Sequence, residues 1–550
     1  KIGDLDDGNG AAFSTDGVYL FLSHENRASV VNMQERKVIS HLNGHAGTIL
    51  QGAFTDNSHL LTCSIDGTVK FWDAPAGKLI ATFIANSEQE YGVITSDNYY
   101  TMSKTLAPKL HFVKGVDHFS FDNFDLIYNR PDIVAQRLGF ADDILIKALR
   151  TAYLKRIKKM GFTEEQLSAE LHLPRLSIDS RNLPTETDQT RVKINVSASD
   201  TKFPLDRINV YINDVPVLGT KGFPLGDKKI QEYSHEFELE LLPGKNKIQI
   251  SCINTKGVES YKSTVDIMCT SKPDLPDLYL VNIGVSEFSD KLFNLTYAAK
   301  DAKDISNAFR KSKSYAHVIE LSYINGQATK ENIAQAKETL MKTRTADVVI
   351  VFVATHGLLD NNFDYYLATT NVNFGNPAEN GLLYDDLENL LDGIPARNKL
   401  MLLDACHSGE VDKEDMETGS VANNQPAIAE NVKTRGFKTN SKKENQLGIR
   451  NSFELMQELF TDLGKGTGTV VISSAGGAEY AFESSEWSNG VFTYVLLEGI
   501  KSGNADANHD EKINVSEIRD YVFRKVPELT GGRQNPTFRK TNIESNFVVY

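Results

Sequence analysis

"KLMLLDACHSGE", residues 399–410, carries an apolar strand straight into an acid, a thiol, an imidazole and a glycine. Leu400–Leu403 has the continuous aliphatic character of a parallel strand buried on both faces, and nothing in it prepares for Asp404, Ala405, Cys406, His407, Ser408 and Gly409. Open α/β sheets place their reactive groups outside the carboxyl ends of the strands. A core strand that stops on such residues therefore reads as the carrier of a nucleophile.

The surrounding sequence supplies the sheet. From 277 onward apolar strands alternate with helical patterns: "LYLVNIGV" (278–285), a helix in "AAKDAKDISNAFRK" (298–311), "HVIELSYIN" (317–325), a helix in "KENIAQAKETLMK" (330–342) and "DVVIVFVATHG" (347–357). The opening stretch comes next, then a helix in "NSFELMQELFTDLG" (451–464), "GTVVISSA" (468–475) and a helix in "NGVFTYVLLEGIKSG" (489–503). That order predicts a mostly parallel sheet with helices on both faces. A second strand also ends in chemistry, at His356-Gly357. If the two strands are neighbours, an imidazole and a thiol emerge at one rim. A thiol with a pKa of about 8.5 is mostly protonated at neutral pH, and a nearby His activates it as base or as ion-pair partner. Gly357 and the Cys406 amide are candidate donors to an oxyanion. His407 is the weaker partner, because adjacent side chains diverge.

"ATHG" and, with its Cys 50 residues after His356, "DACHSG" together resemble the caspase-like cysteine peptidases. The acid two places before the thiol is similar to metacaspases and bacterial orthocaspases rather than animal caspases, and the resemblance covers about 277–550. It implies a His356–Cys406 dyad and a thioester intermediate. It also implies a substrate pocket lined by Asp404 and, as a second acid, by Asp301 in "YAAKDAKDI"; the competing reading of Asp301 is a helix-face carboxylate. Ser473 and Ser474 are further candidate substrate-binding residues. Acids in that pocket would select Arg or Lys by charge, and a preference for Asp is disfavoured.

Residues 410–450 are polar and poor in aromatics, a composition expected of a mobile insertion. Lys433, Arg435, Lys442, Lys443 and Arg450 make this tethered segment a natural first substrate, with autolysis expected after Arg435 or Lys443. "DANHDEKINVSE" (506–517) sets Asp506, Asn508, Asp510, Asn514 and Glu517 at positions one, three, five, nine and twelve of an EF-hand loop. It is a candidate Ca2+ site, with Glu511 where the pattern has Gly; a solvated acidic turn is the alternative, and no cofactor is required.

The first part of the chain reads differently. Residues 10–42 and 44–83 share a strand–turn–strand order with a repeat of about 40 residues. The second copy has Gly44-His45 near its start and Phe71-Trp72-Asp73 near its end and so resembles a WD-repeat blade, while the first has Val31-Asn32-Met33 in place of Trp-Asp. A propeller needs about four to eight blades, and at most a third is suggested by "YGVITSDNYYTMSK" (91–104). Helical patterns follow in "DIVAQRLG" (132–139) and "ADDILIKALRTAYLKRIKKMG" (141–161), with a Lys/Arg cluster read mainly as a solvated face. "LPRLSIDSRNLPTETDQ" (173–189) has linker character, and 191–268 alternates with period two as an antiparallel sandwich, immunoglobulin-like.

The 550 residues are too many for one core, and 40% hydrophobic with 24% charged residues describes a multidomain chain. No window approaches about 18 consecutive apolar residues, so no membrane-spanning helix is expected. The first residues, "KIGDLDDGNG", lack both Met and a signal-peptide core, which suggests a processed or trimmed product. A net charge of −14 argues against nucleic acid as the main partner. The four Cys (63, 252, 269 and 406) show no metal spacing; Cys252 and Cys269, in adjacent predicted strands, are a candidate pair, though a free buried Cys is the commoner state. The expected architecture is an incomplete WD-repeat β-propeller at 1–115, a helical connector at 116–180, an Ig-like β-sandwich at 181–272 and an α/β caspase-like domain at 273–550. The function expected of it is cysteine endopeptidase, with protein or peptide substrates and a possible protein partner on the propeller. The rival is a catalytically silent scaffold. A bacterial source is expected from the same resemblance; the compartment is not legible, with the cytoplasm favoured.

Overall fold

The computed structural model describes residues 10–86, 90–103, 105–168, 170–360, 362, 364–405, 432–434, 467–475, 481–539 and 546–550. The chain divides into two compact units, Lys1–Leu173 with Thr255–Glu259, and Pro174–Asn254 with Ser260–Tyr550. These boundaries differ from the expected ones: the helices of 116–180 belong to the first unit, and sandwich and α/β domain together make the second.

In the first unit, four antiparallel strands over Gly10–Asn43 form one sheet, and a second runs from Ile49 to Met102. Both copies carry a register shift at the same place, Val30/Val31 in the first and Phe71/Trp72 in the second, so the repeat holds even where the first lacks the Trp-Asp signature. In the second copy that signature has a hydrogen-bond rationale. Buried Trp72 donates through Nε1 to Thr62 Oγ1 at 2.8 Å, His45 Nε2 meets the same hydroxyl at 2.8 Å, and His45 Nδ1 meets Asp66 at 2.9 Å. Burial works against the Asp66 charge, but hydrogen bonds from Thr68, His45 and the Ala46 amide hold its carboxyl well below the usual carboxylate range. Strands Tyr91–Thr95 and Tyr100–Met102, expected to start a third blade, instead extend the second sheet to six strands.

The connector helices are Pro131–Leu138, closed by Gly139 at φ 73°, and Asp143–Lys159, capped by the Asp142 side chain on the Leu145 amide. Their basic residues are largely engaged within the unit: Arg130 bonds Asp132 and Glu164, Arg150 bonds Glu164, and Arg130 lies 4.1 Å over the Tyr153 ring. Arg150, one member of the basic cluster, is thereby part of a structural ion network.

In the second unit a β-sandwich begins at Arg175–Ile178, inside the segment read as linker. That strand joins Arg191–Ser199 and Glu232–Glu240 in one sheet; the facing sheet is built on Leu205–Ile212, Gly244–Asn254 and Ser263–Cys269, and one core fills the space between them. Cys252 and Cys269 are free thiols. Their strands are adjacent, but the register sets Gly244 opposite Cys269, about 26 Å along the strand from Cys252 and far beyond disulfide reach.

The α/β domain carries a six-stranded sheet in the order Val318–Ile324, Leu278–Gly284, Val348–Ala354, Asn398–Asp404, Val470–Ser473, Thr537–Arg539. Every neighbouring pair is parallel except the last, which is antiparallel. Val348–Ala354 is buried at every position, as its unbroken apolar sequence requires, with separate hydrophobic clusters on the two sides. The sandwich is fixed to this domain away from the reactive rim. Asp392 accepts from the Thr220 amide and hydroxyl at 2.9 and 3.0 Å, and the Arg397 guanidinium donates to the Glu240 carbonyl.

Candidate active site

The carboxyl ends of three strands are level, because Gly284 pairs with Ala354 and Ala354 with Asp404. His356 therefore lies two residues past one member of a register pair, and Ala405 one residue past the other. Cys406, His407 and the 410–431 and 435–450 parts of the insertion lie outside the described residues, as does the helix expected at 451–464. The strand that delivers Cys406 is described up to Ala405, which is fully buried.

His356 is anchored on both sides of its peptide. Thr355 Oγ1 donates to the Ala368 carbonyl at 2.7 Å, and the Ala368 amide donates to the His356 carbonyl at 2.9 Å. Gly357 opens a small antiparallel sheet of Gly357–Leu359, Tyr365–Leu367 and Leu382–Leu383, which ties the chain beyond the histidine to the same rim. The ring Nε2 sits 2.8 Å from the Phe293 carbonyl. A carbonyl only accepts, so Nε2 carries the proton, and in the neutral ring Nδ1 is the basic nitrogen. Phe293 ends the short turn Lys291–Phe293, which Asp290 caps through the Leu292 amide at 3.1 Å. Phe288 and Phe374 pack against the imidazole, with centroids at 5.3 and 5.8 Å.

Asp404 and Asp301 are buried with no exposed surface. Asp404 Oδ2 accepts from Thr493 Oγ1 at 2.6 Å. Asp301 accepts from Asn489 Nδ2 at 2.7 Å and from the Gly490 amide at 3.2 Å. Gly490 caps the helix Val491–Ser502 and Thr493 lies in its first turn, so the positive end of one helix dipole faces both carboxylates. Asp301 is thus a buried carboxylate on its helix, facing Asn489 and Gly490 rather than solvent. Its helix, Ala298–Phe309, can approach the sheet because Gly284 has no side chain; a Cβ there would come within 2.6 Å of Ala302 Cβ and 2.8 Å of the Ala298 carbonyl. Ser473 and Ser474 are buried at the end of the next strand, and Ser474 is held by its amide to the Leu403 carbonyl at 2.8 Å.

Several residues at this rim escaped the sequence reading. Glu483 is buried and accepts from the Thr296 and Tyr297 amides at 2.9 and 3.3 Å, just ahead of the helix that bears Asp301. Fully buried Gln534 links the Ser474 carbonyl to the Phe482 amide, at 2.7 and 2.8 Å. Thr493, Asn489 and Gly490 are hydrogen-bond partners of acids distant in sequence. Only Asn489-Gly490, a capping pair ahead of an apolar helix, left a local signal. Phe293 contributes a backbone carbonyl, which any residue could supply.

Residues 280–548 match the family model of the caspase domain. The caspase domain takes in His356, Asp404, Cys406 and Asp301. The chain is 36% identical to human WD repeat-containing protein 75 across 76 residues, 14% of this chain and 9% of that protein. It is 40% identical across 52 residues to the U3 small nucleolar RNA-associated protein 21 homolog of Schizosaccharomyces pombe, 9% of this chain and 6% of that one. The chain thus spans less than a tenth of the length of these curated relatives. Among solved structures, protein GSU0716 from Geobacter sulfurreducens aligns over 48% of this chain and 92% of its own, at 19% identity and a TM-score of 0.32. U3-55K aligns over 17% of this chain and 36% of its own, at 16% identity and a TM-score of 0.15.

The loop proposed for calcium lies before the helix Val515–Thr530. Asp506 accepts from the Asp510 and Glu511 amides at 3.2 and 2.9 Å, while Glu517 accepts from the Asn508 and Asn514 amides at 3.3 and 3.0 Å. Glu511 takes the left-handed φ of 64° that the pattern assigns to glycine. Among the described residues no group of three or more His, Cys, Asp or Glu side chains is gathered for a metal ion, and no helix is long and apolar enough to cross a membrane.

Proposed function

We propose that the protein is a cysteine endopeptidase in which His356 activates Cys406 and the chain is cut after Arg or Lys. One observation carries the reading: the strand leading into Cys406 is in register beside the strand leading into His356, whose Nε2–H is already committed to the Phe293 carbonyl. The Cys406 thiolate attacks the scissile carbonyl. The oxyanion is met by backbone amides, for which Gly357 and Cys406 are the candidates. The imidazolium gives its proton to the leaving amine; the thioester is then cleaved by a water that Nδ1 deprotonates.

Asp404 and Asp301 would set specificity. Both are held by donors at one helix N-terminus, where an incoming guanidinium or ammonium would gain a charge-assisted pair. Ser473 and Ser474 would line the adjoining wall. Calcium at 506–517 would bear on the stability of the neighbouring helix rather than on chemistry, and the WD-repeat blades would recruit a protein partner. The test compares fluorogenic peptides ending in Arg, Lys and Asp, with and without calcium. Cleavage after Arg or Lys is expected, and Asp404→Ala should lower it several hundredfold or more, from about 3–5 kcal/mol for a buried charge pair broken on one side. Cleavage after Asp by the wild type would refute the pocket.

A further inference from the structure

Phe374 lies between the two contacts that define the catalytic imidazole. It stacks on Phe293 with ring centroids 3.8 Å apart and planes 18° from parallel, and Phe293 is the residue whose carbonyl takes the Nε2 proton. It meets the His356 ring edge to face at 5.8 Å and Phe288 at 5.3 Å, while Phe288 packs on His356 at 5.3 Å. The loop that bears Phe288 and Phe293 is also tied to the same segment: Ser289 donates through its amide to the Thr370 carbonyl at 2.8 Å, and Thr370 Oγ1 donates to the Glu287 carbonyl at 2.8 Å. The Nε2 proton is accepted by a main-chain carbonyl on a short turn. A carbonyl on a turn orients a ring only as well as the turn itself is held.

We propose that Phe374 is a positioning residue for the peptidase reaction: its ring clamps Phe293 so that the carbonyl fixes the His356 tautomer and leaves Nδ1 as the base toward Cys406. The proposal rests on the His356–Cys406 reading and adds to it the element that sets the geometry of the base. Simple core packing, the competing role, would lower stability on truncation without altering the protonation pattern of the ring.

Two readouts separate these roles and keep a failure of the proposal distinguishable from a failure of the peptidase reading. Nitrogen-15 spectra of the His356 ring, recorded in the Cys406→Ala background, report the tautomer without any turnover. Wild-type Phe374 should give a single Nε2–H form, Phe374→Ala a mixture of tautomers with faster exchange of the ring proton, and Phe374→Tyr, which keeps the stacking ring, the single form again. In the active enzyme, Phe374→Ala should lower kcat by about a hundredfold, the loss typical of a misplacement near 1 Å, with KM little changed and with Phe374→Tyr restoring most of the rate. If Phe374→Ala does not fold, Phe374→Leu takes its place, with the same expected tautomer mixing and a smaller fall in kcat. An unchanged single tautomer in the Ala or Leu variant overturns the proposal, as does a fall in stability with kcat retained. If the wild type cleaves no peptide, the peptidase reading fails, while the tautomer spectra still decide for or against the clamp.

Discussion

Replacing Lys399 by Met should stabilise the strand that carries the proposed nucleophile and flatten its response to pH. Lys399 begins the apolar run that ends at Asp404, yet its side chain is almost wholly buried, and its Nζ donates to the Leu391 carbonyl at 3.2 Å. It shares the carboxyl end of the helix Tyr384–Leu391 with Lys337, which donates to the Asn389, Leu390 and Asp392 carbonyls, and with nearby Arg397. Burial pushes the Lys399 ammonium from 10.5 down to about 7, with Asp392 opposing and Lys337 and Arg397 adding to the depression. A base depressed in the folded state binds fewer protons there than in the unfolded chain between about pH 7 and 10.5. Stability should therefore rise with pH across that window and be flat, with the full cost of the buried charge present, below it. At about 1.4 kcal/mol for each tenfold change in proton affinity, the difference is on the order of 5 kcal/mol. Loss of the hydrogen bond to Leu391 would offset about 1 kcal/mol of that in the variant. The assay is hydrogen exchange of the Asn398–Asp404 amides at pH 6.5 and 9, corrected for intrinsic rates. Lys399→Met should slow exchange at pH 6.5 and lose the wild-type gain between the two pH values. A variant that exchanges faster at pH 6.5 would refute the reasoning and make the charged lysine a stabilising cap of the helix.

Other consequences follow from the same contacts. Thr493→Val removes the hydroxyl that bonds Asp404 and should cost about 1–3 kcal/mol, with a matching fall in kcat/KM for Arg substrates; an unchanged melting temperature and unchanged kinetics would contradict it. Asp392→Ala strips two hydrogen bonds from Thr220 and should loosen the sandwich at that contact, seen as faster exchange near Thr220 with the Val348–Ala354 strand unaffected. In the first unit, Asp66→Ala should destabilise the second blade by about 1–3 kcal/mol at neutral pH. Because the Asp66 carboxyl is held low, the wild-type contribution should be full at neutral pH and fade as pH falls through the carboxylate range, so the two proteins should converge in acid; a constant difference would refute the His45–Asp66 bond.

The strand–helix alternation after 277 was legible because parallel strands buried on both faces leave unbroken aliphatic runs, and the paired endings at His356 and Cys406 stood out against them. Register followed from neither pattern, yet it is register that levels Ala354 with Asp404. Asp301 was read as an even choice between pocket and helix face, since amphipathic spacing cannot register that Gly284 lets the helix press onto the sheet and close Asp301 over Gly490. Nothing in the sequence marked Lys399 as buried, because a long side chain at a strand's start usually reaches water. Strands 91–95 and 100–102 resembled a new blade because blade strands are alike locally, and only hydrogen bonding to Lys78–Ala85 assigns them to the second sheet. Thr493, Glu483 and Gln534 act through contacts distant in sequence and left no mark in it.

The central claim is that Cys406 is the nucleophile and His356 its base. The most direct measurement is hydrolysis of an Arg-terminated fluorogenic peptide by the wild type, Cys406→Ala and His356→Ala, with intact-mass analysis of each protein after incubation. The account predicts turnover and cleavage after Arg435 or Lys443 in the wild type, and neither in the two variants, with both still folded. Turnover by Cys406→Ala at the wild-type rate would contradict it.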